Sequence, residues 1–73
     1  MEEKELKELL ARESLGFKMA FEEHQRYEKA LETLTGKLFL TDEEKLEEKE
    51  LKKKKLILKD RMYQMMSEYR KSR

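Results

Sequence analysis

Gly36-Lys37-Leu38-Phe39-Leu40-Thr41-Asp42-Glu43-Glu44, residues 36–44, decides the fold of this 73-residue chain. Glycine directly after a periodic apolar segment is a helix stop, because it takes the left-handed conformation that follows many helix C-termini at little steric cost. Five residues later Thr41 opens a capping box. Its hydroxyl is placed to accept from the Glu44 amide while the Glu44 carboxylate reaches back to the Thr41 amide. A stop and a start this close join two helices as antiparallel neighbours. The intervening Leu38-Phe39-Leu40 is expected to fold over the tip of that hairpin.

Upstream of the stop, Phe17, Ala20, His24, Tyr27, Leu31, Leu34 and Leu38 recur alternately three and four residues apart. That is the rhythm of a coiled-coil seam and predicts a helix over 15–35. Downstream, the capping box predicts a helix over 42–70. Its first two turns hold Asp42, Glu43, Glu44, Glu47 and Glu48 and its end holds Arg70 and Lys71, which suits the helix dipole at both termini. Glu48 with Lys52 and Glu50 with Lys54 are expected i,i+4 pairs, each stabilising by roughly 0.2–0.5 kcal/mol. Leu51, Leu58, Met62, Met65 and Tyr69 form the inner stripe of this helix, widened by Leu56, Tyr63 and Met66.

The remaining segment, 2–13, carries Leu6, Leu9 and Leu10 among charges and predicts a short amphipathic helix. Ser14 is placed to cap the next helix, and Gly16 weakens continuity between the two. The long helix outruns its partner, at about 42 Å for 28 residues against about 30 Å for 20. Either the first helix or a second chain covers the overhang. The fold class expected is therefore all-α: one antiparallel, coiled-coil-like hairpin over 1–73 with a short N-terminal helix.

Composition narrows the functions. Charged residues make up 48% of the chain and apolar ones 37%, with 18 basic against 17 acidic residues for a net charge of +1. Mixed charge without proline favours exposed helices over a self-repelling coil, and the near-zero balance argues against bulk attraction to nucleic acid. A chain this short supplies a small core, and the absence of cysteine removes disulfides and thiolate metal sites as reinforcement. Self-association is what remains, so a homo-oligomer is expected, a dimer being favoured, with an unidentified protein as the other possible partner. The acidic start Met1-Glu2-Glu3-Lys4-Glu5 does not resemble a signal peptide, and the apolar runs are too short to span a bilayer; a cytoplasmic protein with no membrane partner is expected.

No catalytic or cofactor constellation stands out, and no enzyme activity and no cofactor are expected. His24, the single histidine, has Glu28 one turn on, which is too few ligands for a metal site. Lys52-Lys53-Lys54-Lys55 points around the whole helix rather than along one face. Lys52, Lys55 and Lys59 do share a side and are the possible anion contacts. Asp60 is expected to pair across the hairpin or within its helix. Met62, Met65, Met66, Tyr63 and Tyr69 make an adaptable apolar surface expected to need a partner. The candidates for packing or interface are therefore Phe17, His24, Tyr27, Leu31, Leu34, Leu51, Leu58, Met62, Met65, Met66 and Tyr69. His24 and Lys55 are expected to set register.

Glu44, Glu48, Leu51-Lys52-Lys53, Lys55-Leu56, Lys59-Asp60 and Met62 together resemble the signature of the YdcH-like family of small bacterial proteins of unknown function. Phe21-Glu22-Glu23-His24 resembles the same family's upstream element, so the likeness runs from about Phe17 to Met66. Arg61 departs from it where an acid is frequent, as does Ser14-Leu15-Gly16 where proline is often found. The resemblance implies a helical hairpin and no reaction. The reading that follows is a non-enzymatic protein-interaction or oligomerisation module. Its alternative is a small nucleic-acid-binding accessory using the lysine-rich face.

Overall fold

The hydroxyl of Thr41 accepts from the Glu44 amide at 3.1 Å, and Oε1 of Glu44 accepts from the Thr41 amide at 3.0 Å, closing the capping box. The Lys37 ammonium pairs with the other carboxylate oxygen of Glu44, and this contact first, with the Thr41 amide second, holds that carboxyl below its usual range. Behind this cap runs α3, Asp42–Lys71; before it lie α1, Glu3–Glu13, and α2, Leu15–Thr35. The computed structural model describes residues 2–72, and among them there is no strand. The helix bounds fall within a residue of those predicted at every end.

Ser14 alone separates α1 from α2. It is extended, and its side chain accepts from the Phe17 amide at 3.2 Å, satisfying one of the free donors at the start of α2. Gly16 lies inside α2, so the break is made by the cap and not by the glycine.

At the other end of α2 the stop at Gly36 holds but its geometry differs from expectation. Gly36 is right-handed, at φ −75° and ψ −10°. Its amide donates to Glu32 at 3.0 Å, the Lys37 amide donates to Leu34 at 3.2 Å, and the Thr35 hydroxyl donates to Glu32 at 3.1 Å. Tightening of the last turn satisfies the terminal carbonyls, so no left-handed residue is needed. Leu38 and Phe39 do not fold over the tip either; they are 94% and 89% exposed, and only Leu40 is half-buried. Both helices end beneath them and no third element lies nearby to receive them.

The third element is at the opposite end. α3, of 30 residues, spans about 45 Å and α2, of 21, about 31 Å, so α3 overhangs. α1 folds back over that overhang. Leu6 and Leu10 of α1, Phe17 and Ala20 of α2 and Leu58, Met62 and Met66 of α3 form one buried cluster, with Met65 and Tyr69 packed at its edge. Leu31 and Leu34 are buried further along the hairpin. The molecule is a rod of 48 × 19 × 16 Å with a radius of gyration of 14.8 Å, against about 11 Å for a globular chain of this length.

Candidate interaction surfaces

Three helices meet around His24. Lys7 from α1, His24 and Glu28 from α2, and Lys55, Lys59 and Tyr63 from α3 line a groove of about 320 Å³ floored by Phe21, Met62 and Met66. The Tyr63 hydroxyl donates to Glu3 at 2.8 Å, and Glu3 also pairs with Lys7 at 3.2 Å. The Lys7 and Lys59 ammonium groups stand 5.7 and 5.9 Å from the centre of the Tyr63 ring, within reach of its negative face. The Tyr63 hydrogen bond, then Lys7, lowers the pKa of Glu3. Glu3, Lys7 and Tyr63 thus fasten α1 to α3 at the rim.

His24 is half-buried, and its Nε2 is sealed from solvent without a hydrogen-bond partner. Burial lowers its pKa; Lys55, Lys7 and Lys59 push the same way and Glu28 opposes them. Glu28 pairs with Lys55 at 3.3 Å across the hairpin, so one of the two residues expected to set register does make a contact between α2 and α3. Among the described residues no three side chains of metal-binding type converge.

The three possible anion contacts border one groove, and two of them reach a second. Lys55 and Lys59 reach the His24 groove, and with Lys52 they also border a shallower groove over Leu31 and Leu56 on the same hairpin. Lys52 pairs with Glu48 at 3.4 Å, as its spacing predicts. The expected Glu50–Lys54 pair and an ion pair at Asp60 do not form among the described residues; these side chains point into solvent, where pairing contributes little.

Of the packing candidates, Phe17, Leu31, Leu34, Leu58, Met62 and Met66 are buried within the chain, and His24, Tyr27, Leu51, Met65 and Tyr69 are half-buried. The expectation that the methionine and tyrosine stripe needs another chain is corrected: α1 covers Met62 and Met66, which are 4% and 1% exposed. Tyr63 is the exposed member, held at its hydroxyl by Glu3. Nothing in the sequence links residue 3 to residue 63; the pairing exists only once α1 has folded back.

What remains outside lies elsewhere. Leu46, Leu56 and Ile57 are each more than half exposed on α3, as are Leu38 and Phe39 at the tip and Leu15 and Met19 on α2. Leu46, Glu50, Lys53 and Ile57 follow one another at steps of four, three and four, one stripe on the face of α3 turned away from Leu58 and Met62. Along this helix charge is segregated. Residues 42–50 hold six acids against two lysines, a net of −4, whereas 53–61 hold five basic residues against one acid, a net of +4.

The model of a family described as "Protein of unknown function (DUF465)" matches residues 17–66, two thirds of the chain. The chain belongs to this family. DUF465 takes in the YdcH-like proteins that the sequence resembles. Its match covers α2 from Phe17, the tip and α3 as far as Met66, so His24, both charge blocks of α3 and the exposed apolar residues of the tip and α3 fall within the DUF465 span. α1, with Lys7 and the two leucines of the core, falls outside it. No curated protein and no solved structure matches this chain. No helix among the described residues is long and apolar enough to cross a membrane.

Proposed function

We propose that this DUF465 protein is a non-enzymatic protein–protein interaction module that displays apolar side chains on a charged helical rod. The observation that carries this reading is the exposure of Leu38, Phe39, Leu46, Leu56 and Ile57 in a chain that does bury Leu6, Phe17 and Met66 to 1% or less. Apolar groups outside a well-filled core are positioned to lose water against a partner. Among the described residues the groove at His24 is lined by one carboxylate, Glu28, which is paired with Lys55, whereas general acid–base chemistry draws on two such groups in a desolvated cleft. A photo-crosslinking residue placed at Leu38, Leu46 or Ile57 in the living cell is expected to yield protein adducts that a control at exposed Lys29 does not. Adducts absent from all three positions, or no more frequent than at Lys29, overturn the reading.

A second reading, a nucleic-acid-binding accessory, draws on the convergence of Lys7, Lys55 and Lys59 beside the Tyr63 ring. Phosphate contact by these three would make affinity fall steeply with salt. Glu3 and Glu28 already engage two of them, which weakens this reading. Polarisation of labelled single-stranded oligonucleotide, with Lys59→Glu as control, tests it.

A further inference from the structure

We propose that the outward face of α3 pairs antiparallel with the same face of a second copy, Leu46 of each chain seated on Ile57 of the other. The inference deepens the interaction-module reading and rests on it. Leu46 and Ile57 are 59% and 61% exposed, and they are the two apolar members of the stripe. They sit 11 residues apart, about 16 Å along the axis. A two-fold axis through the midpoint, between Leu51 and Lys52, brings both pairs into contact at once, so one surface serves both copies.

Charge selects the orientation. In that register residues 42–50, with net charge −4, lie along 53–61 of the second copy, with net charge +4. A parallel arrangement lays −4 on −4 and +4 on +4. Glu43 then flanks the partner's Arg61, and Glu50 the partner's Lys54, on the same side of the seam. Segregated opposite charge of this kind favours one alignment and penalises the other. None of the stripe residues belongs to the buried cluster, so pairing leaves α1 and the hairpin core undisturbed. With two apolar anchors per chain the contact is small, and the dimer is a reversible, concentration-dependent one.

The chain has no cysteine, so an introduced thiol is unique. Purified E43C and R61C variants, mixed and treated with a short bis-maleimide, are expected to give the mixed 43–61 adduct well above either same-position adduct, whose sites lie about 27 Å apart in the pair. Sedimentation velocity of the unmodified chain over a hundredfold concentration range is expected to show monomer passing to dimer. Ile57→Glu is expected to raise the concentration of half-association by about tenfold or more, with helicity unchanged by circular dichroism. Same-position adducts in excess overturn the antiparallel orientation. A monomer at every concentration overturns the pairing; if photo-crosslinks at Ile57 in the cell then reach a different protein, the interaction-module reading stands without it, and if they reach none, both fall.

Discussion

The two ends of the hairpin are built from the same two helices and have opposite interiors. At the end where α1 folds back, Phe17, Leu6 and Met66 are 0–1% exposed; at the tip, Leu38 and Phe39 are about nine-tenths in water. A pair of helices offers each apolar side chain one neighbouring surface, and only a third element closes the remaining sides. Eleven residues of α1 make that difference. The larger cluster is therefore at one end of the rod, and the tip end is held by Leu31, Leu34 and the cap.

Four substitutions break or sharpen this contrast. Phe17→Ala strikes the covered end, removing the most deeply buried ring, and is expected to cost about 3–5 kcal/mol. A 73-residue chain has about 4–11 kcal/mol in all, so urea titration should show a midpoint lowered by at least about a quarter, and a chain already unfolded if the total lies at the low end. Gly36→Ala at the tip acts in the other direction. The backbone is right-handed and an added Cβ meets the Glu32 carbonyl at an ordinary 3.4 Å, so a gain of about 0.4–1 kcal/mol is expected by the same titration. A loss there would mean that Gly36 becomes left-handed in solution.

Acid acts on the covered end through His24, which faces Lys7 from α1, Glu28 from α2 and Lys55 and Lys59 from α3. Its pKa in the fold lies below the ordinary 6.5, so the unfolded chain binds the proton more readily. Stability is full above 6.5 and declines as pH falls from there towards the folded value. His24→Gln should flatten that decline between pH 7 and 5, leaving only the later loss as Glu3 and Glu44 titrate below their ordinary 4.5. Smallest of all is Phe39→Ser, expected to shift stability by no more than about 0.5 kcal/mol, because the ring it removes is already in water. A larger loss would show that the tip packs.

Local signals were legible in the sequence and distant ones were not. The Ser14 cap, the Thr41–Glu44 box and the stop at Gly36 depend on residues within four positions of one another, and each appears where it was read. The alternating seam also located Phe17, Ala20, Leu31 and Leu34, because the helical period alone places them on one side. It misplaced Leu38, since the period continues past Thr35 although the helix does not. The covering of Met62 and Met66 by α1 and the fastening of Glu3 to Tyr63 depend on where a separate helix lands, and neither leaves a mark in spacing or composition. The same holds for the groove at His24: Lys55 and Lys59 were identified from their shared face, whereas Lys7 joins them only through the folding back of α1. The stripe of Leu46 and Ile57 has no signature of its own in the sequence: two isolated apolar residues among lysines and glutamates take a face only relative to the core side of α3.

The single extended residue between α1 and α2 also turns the chain back, so that α1 lies on both long helices. α2 and α3 are joined by six residues, 36–41, so their ends find each other through a short closure. The landing place of α1 is composite, made of Phe17 on one helix and Met62 and Met66 on the other, and does not exist until those two have aligned. Glu3 and Tyr63, sixty positions apart, are within bonding distance only where all three helices meet. α1 thus acts as a latch laid across both long helices at the open end of the hairpin, held on one side by Leu6 and Leu10 and on the other by the bond from Tyr63 to Glu3.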